Sequence, residues 1–244
     1  MKNPYRWLGM WLCLVGALLA ALAHLIMESV PVTAVGISTL VVGIVCLALP
    51  NYRPYVSPEA SEMLFRSGAE NVAALLEGLR LEDRALYLPS STTNGRPQAV
   101  IPLARGTQAS IEGRIPRRLI VRYGAGPDDV GIAIATPGTV GNGLLRTVPG
   151  STAEEIEGAL LHVLVGTLDL ADSVTVSVSD SRVDILVRGG RLHYGEETWY
   201  QHCVGSPIAS VAAAICSEAF CSPVRIRREH VSRGQGHIGL EVLP

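Results

Sequence analysis

Two uncharged apolar runs, separated by a few residues, open the chain and limit what the rest of it can be. Trp7 to Met27 carries no formal charge, and Val32 to Leu49 is a second uncharged run of 18 residues. A bilayer core about 30 Å thick needs about 20 residues of helix, so the first run is long enough and the second just reaches. The link Glu28-Ser29-Val30-Pro31 has room only for a tight turn. The pattern predicts a transmembrane helical hairpin over residues 1–50. A cleaved signal peptide is the competing reading, with Lys2 and Arg6 as its basic start. The length of the first run, and the second run that follows at once, argue against it.

Orientation follows from the basic residues at the span ends. Lys2 and Arg6 precede the first span and Arg53 follows the second, while the turn holds only Glu28. Basic residues stay on the inner side, so both termini are expected in the cytoplasm, in a two-span, multi-pass protein of the cell membrane. Gly9, Gly16, Ala20, Gly36 and Gly43 are small enough to bring two helices close, within the hairpin or between copies. His24 lies within a turn of the outer end, which suits an interfacial residue better than a transport path. The hairpin reads as an anchor. Membrane lipids are one expected partner; a second copy of the chain, or a partner protein in a membrane complex, is another.

Beyond position 49 there are 18 basic and 21 acidic residues, formally −3. No global field points to nucleic acid, and none is expected as a partner. Five cysteines without paired spacing do not make a disulfide framework and suit a reducing compartment. No CxxC, HExxH or Cys/His array occurs, so no metal site is expected. The glycine pairs at Gly124 and Gly126 and at Gly141 and Gly143 lack a strand–GxGxxG–helix setting, and no cofactor is expected.

Residues 51–57 read as a juxtamembrane linker. Ser57-Pro58-Glu59 then starts a helix, with Gly68 as a break. Strands are expected at 86–89, 99–103, 119–123 and 132–135, and a loop over Thr136 to Gly150 with its four Gly and two Pro. Ser151 to Glu155 is a capping box that opens a helix to about Leu170. Ser173 to Ser179 alternates strictly and predicts a strand, followed by Val183 to Arg188. A loop over 189–201, a helix over 208–220 and strands at 224–228 and 238–243 complete the pattern. The expected fold class is α+β, an antiparallel sheet with helices on one face. It divides into a subdomain over 58–150 and another over 151–244, the latter reading helix, hairpin, helix, hairpin.

Chemistry is sparse. His202-Cys203-Val204-Gly205-Ser206-Pro207 precedes a helix start fixed by Pro207, and free N–H groups there attract anions. Cys203, Gly205 and Ser206 are the candidate ligand-binding residues. A thiol at such a place can be acidified into a nucleophile or redox group, but a buried Cys beside a cap is the simpler account. On an extended strand His202 would point away from Cys203. Two arginine groups stand out, Arg114, Arg117, Arg118 and Arg122, and Arg225, Arg227, Arg228 and Arg233. Arg225 and Arg227 share a strand face and are candidate lipid-facing cations. No carboxylate pair or triad announces a catalytic residue.

Cys203-Val-Gly-Ser-Pro-Ile, then Pro223-Val-Arg-Ile-Arg-Arg-Glu and His237-Ile-Gly-Leu-Glu-Val-Leu, resemble the end of vinyl-reductase-type small-molecule-binding domains and their trafficking-complex relatives. The resemblance covers about 40 residues, and the metal-binding Cys cluster of some such domains is missing. The layout of two spans and this domain is similar to uncharacterised archaeal membrane proteins. Neither resemblance carries over a catalytic residue. The function expected is a membrane-anchored binding or scaffolding module, oligomeric and without catalysis. The alternatives are a thiol-dependent enzyme or redox sensor using Cys203, and an accessory subunit of a larger membrane complex.

Overall fold

The structure, a computed structural model, describes residues 4–26, 28–48, 58–93, 95–104, 111, 113–191, 198–232 and 235–244. The chain forms two compact units, 1–65 and 66–244.

In the first unit, α1 (Pro4–Leu25) and α2 (Val30–Ala48) pack along each other. Small residues make this possible. Gly9, Gly16 and Ala23 are buried on α1, and Gly36 and Gly43 on α2, each set at a seven-residue spacing. A side-chain carbon added at Gly16 would stand 2.5 Å from the Leu40 backbone nitrogen; one at Gly36 would stand 2.5 Å from that of Ala20. Backbone cannot step aside as a side chain can, so these positions require glycine. The Thr33, Ser38 and Thr39 hydroxyls donate to carbonyls four residues back and stay satisfied within α2. The outside of the pair is apolar and bare, with Trp7, Trp11, Leu14, Leu18, Val35 and Val42 all more than half exposed.

The second unit is α+β. Eight antiparallel strands form one sheet: β1 (Leu86–Leu88), β2 (Gln98–Pro102), β3 (Ile120–Arg122), β4 (Val130–Ile134), β5 (Ser173–Ser179), β6 (Arg182–Arg188), β7 (Val224–Ser232) and β8 (Gln235–Val242). Their spatial order is β3-β4-β2-β1-β7-β8-β6-β5. The expected division at position 150 does not separate two sheets. The last hairpin, β7–β8, lies between the halves, with β7 paired to β1 and β8 to β6.

One face of the sheet carries the main core. Val174, Val183, Ile185, Ile226 and Leu240 alternate inward and meet α5 (Ala153–Leu160), a π-helical stretch (Leu161–Thr167), α6 (Trp199–Val204) and α7 (Pro207–Phe220). α7 is buried from Pro207 through Glu218, lying between β1, β7 and β8 on one side and α5 with α4 (Pro137–Asn142) on the other. Trp199–Phe220 is apolar enough to cross a membrane, yet 83% of its most apolar window is covered by the body, against 17% and 11% for the windows in α1 and α2. α3 (Pro58–Gly78) packs Ala69, Val72, Ala73 and Leu76 against this core. Gly68 does not break it.

The opposite face differs between its halves. Beneath β1, β2 and β4, a second cluster of Leu86, Leu88, Val100, Ile115, Val121, Tyr123 and Ala133 closes it. Beneath β5, β6 and β8 it is open and polar, as the exposed Thr175, Ser177, Asp184 and His237 show.

Two stretches expected as loop are helical. α4 lies within Thr136–Gly150, where the Thr136 hydroxyl and the Thr139 side chain cap each other's backbone N–H groups. α6 takes in only the last three positions of the expected loop 189–201 and runs on to Val204, capped the same way by Thr198 and Gln201. Both caps are readable in the letters, but the helices are only six residues long and rely on packing.

Candidate functional site

The corner between α6 and α7 holds all three residues expected to bind a ligand. Gly205 ends α6 at φ 84°, a conformation open to glycine, and Ser206 caps α7 by accepting the Ala209 N–H at 3.1 Å. The anion such a helix start attracts is supplied by the protein itself. Glu229 on β7 accepts the Ser206 N–H at 3.0 Å. A side-chain carbon at Gly205 would meet Ile226 Cδ1 at 2.6 Å. Cys203, Gly205 and Ser206 are thus brought together, with the space beside them taken by Ile226 and Glu229.

Cys203 is 1% exposed, and its thiol points at the Leu81 carbonyl, 3.4 Å away. The Trp199 indole N–H donates to the same carbonyl at 2.8 Å. Burial pushes the Cys203 thiol up to about 11, Arg84 offsetting this in part, which is the reverse of the acidification expected at a helix start. Cys203 and His202 sit on α6 and not on a strand; His202 stacks obliquely near Trp199, ring centroids 5.8 Å apart. Cys216 is buried in α7, and burial pushes its thiol up to about 12. Cys221, just beyond α7, is the exposed thiol of the body.

A buried polar cluster adjoins the corner. The Tyr87 hydroxyl donates to the Val204 carbonyl at 2.6 Å, and the Gly138 N–H donates to the Ser210 hydroxyl at 3.0 Å. Burial raises the Tyr87 phenol well above its ordinary value, with hydrogen bonding to Ser210 and Thr136 opposing. Farther along α7, the Glu218 carboxylate accepts both the N–H and the hydroxyl of Ser90, at 2.7 and 2.8 Å. These groups join β1, α4 and α7 and satisfy one another.

The open half of the sheet is the surface left for an encounter. Strand register sets two rows across it. Ser177, Asp184, Gly239 and Arg228 form one; Thr175, Leu186, His237 and His230 form the next. Thr175, Ser177, Asp184, Leu186, Arg228 and His237 of these rows border a shallow concavity of about 150 Å³. Arg228 reaches across β8 to Asp184, with Nη2 to Oδ1 at 2.9 Å. It can do so because Gly239 lies beneath it: a side-chain carbon there would stand 2.8 Å from Arg228 Cγ.

Arg225 and Arg227, the pair expected to face lipid, both stand beside Glu241 of β8. A bulge between Ile226 and Arg228 adds Arg228 to the same row, opposite Gly239. Arg225 is half-buried opposite Leu86 and Glu241, and Arg227 lies 3.8 Å from the Glu241 carboxylate. Sequence spacing showed the arginines; it did not show that Glu241 and Asp184 would stand beside them from other strands. Among the described residues, no three His, Cys, Asp or Glu side chains gather to hold a metal ion.

A family model described as a domain of unknown function (DUF7982) matches residues 1–241, hairpin and body together, and the chain belongs to that family. No curated protein and no solved structure matches it.

Proposed function

We propose that this chain is a membrane-anchored binding or scaffolding module, non-catalytic and oligomeric. The hairpin holds the α+β body at the cytoplasmic surface of the cell membrane, both termini inside. The single observation that carries this reading is the contrast in covering of the apolar helices. The windows in α1 and α2 are 17% and 11% buried, while the similarly apolar Trp199–Phe220 stretch is wrapped by the body. Bare apolar surface on that scale belongs in lipid or against other spans. Lys2, Arg6 and Arg53 at the inner ends, with only Glu28 in the turn, support the orientation.

Support for binding over catalysis comes from the body. Its buried thiols are shifted away from reactivity, its helix-start anion site is filled by Glu229, and its accessible polar surface is a broad sheet face. A role as accessory subunit of a larger complex uses the same anchor, with other spans on the exposed side of α1 and α2.

The exposed Cys221 tests the topology. A membrane-impermeant maleimide added to intact cells should leave Cys221 unlabelled, and permeabilised cells should label it. Labelling in intact cells would invert the orientation. Native-membrane pull-down and mass determination in detergent then separate a self-assembly from a hetero-complex. A monomer that turns over a substrate would end the non-catalytic reading.

A further inference from the structure

We propose that the β3 end of the sheet is a second membrane contact, docking on anionic lipid headgroups; it rests on the anchor reading above. β3 closes the sheet beyond β4. Ile120, on the helix-side face opposite Ile132, is 64% exposed, and Leu119 is 54% exposed, so the helices do not cover this end. Beside these two in the chain are Arg114, Arg117, Arg118 and Arg122, all exposed. From Gly113 to Tyr123 there are four arginines and no acidic residue, in a body that is formally acidic.

The charges here are available in a way those on β7 are not. Arg227 and Arg228 stand beside Glu241 and Asp184, whereas among the described residues none of these four arginines joins a carboxylate in an ion pair. In the neighbouring β3–β4 turn, Asp129 is committed to the Gly126 N–H at 2.7 Å, and Asp128 is exposed. Cations at the headgroups with aliphatic side chains reaching the acyl boundary form the pattern of an interfacial anchor. Nucleic acid fits less well, because bases stack on aromatic rings and Tyr123 is buried. A second copy would bring like charges together.

The test uses the full chain in lipid nanodiscs of phosphatidylcholine, with and without phosphatidylglycerol, followed by amide hydrogen exchange over residues 114–123. Slower exchange is expected in the anionic discs alone, reversed by high salt. Each arginine contributes about fivefold near an anionic surface, so Arg117→Gln with Arg118→Gln should weaken docking on the order of 25-fold. Arg146→Gln, at an exposed arginine elsewhere on the body, should leave it unchanged. Equal exchange in the two discs would overturn the proposal, as would salt-insensitive protection in both, or protection that an added oligonucleotide produces in neutral discs. A chain that fails to enter neutral discs defeats the anchor itself. A chain that enters both discs with this segment unaltered defeats only the lipid contact.

Discussion

The Glu229 carboxylate on β7 accepts the backbone N–H of Ser206, the N-cap of α7, at 3.0 Å. A residue 23 positions away thereby completes the start of the central helix and puts a negative charge at its positive end.

Glu229→Ala removes the acceptor and the charge together and should cost about 1–3 kcal/mol of stability. Glu229→Gln keeps an acceptor and should cost about 0.3–1 kcal/mol, the charge–dipole part alone. Denaturant midpoints of the two variants check this. Equal midpoints for wild type and the alanine variant would show that the contact contributes nothing.

Glycines in the two units should respond in opposite directions. Gly16→Leu drives a side chain into the Leu40 backbone and should destabilise the hairpin by about 1–3 kcal/mol or more. Gly68 in α3 has nothing within 4 Å of an added carbon, so Gly68→Ala should stabilise by about 0.5–1 kcal/mol. Heat-induced aggregation in detergent reads both. A Gly16→Leu chain as stable as wild type would refute the close packing.

Gly138→Ala should separate α4 from α7. The added carbon would run into the Ser210 carbonyl oxygen, and the Gly138 N–H would lose the Ser210 hydroxyl. A loss of about 1–3 kcal/mol is expected. Hydrogen exchange of the Gly138 amide, protected in the wild type and fast in the variant, distinguishes local separation from global loss.

Thiol labelling should be selective and alkaline conditions destabilising. Near neutral pH, Cys221 should react before Cys203 or Cys216, which are buried. Burial raises Cys203 to about 11, and Cys216 and Tyr200 to about 12, from ordinary values of 9.0 and 10.0. These groups are neutral when protonated, so the folded chain keeps protons that the unfolded chain releases. Their contribution to stability is whole below about pH 9 and falls as pH rises toward 11–12. A pH titration of the denaturant midpoint that stays flat across that window would contradict the burial of these groups.

The parts of the fold legible in the sequence were those with strong local pattern. Ser173 to Ser179 alternates valine with hydroxyl residues, and β5 spans those seven positions. The two apolar runs became α1 and α2 because length and composition suffice. β7 and β8 run farther than expected, to Ser232 and from Gln235. Their outer residues face solvent on both sides, so no hydrophobic alternation marks them. The strand order was beyond reach, since β1 against β7 joins residues far apart in the chain. The site suffered likewise. Pro207 and Ser206 announced a helix start, while Glu229, which fills it, carries no local signal. The basic group at Arg114 to Arg122 was visible, but its setting beside bare Leu119 and Ile120 depends on where the sheet stops.

Because β7 slots between β1 and β8, every residue from 86 to 242 must leave the ribosome before the sheet can be completed. The helical hairpin of α1 and α2 is made before any strand and can settle long before that moment. Assembly then waits on a late insertion joining the earliest strand to the last pair, a long-range closure of the kind that slows folding. A chain cut short of residue 224 would leave β1 and β6 each with an unsealed edge where β7 and β8 belong.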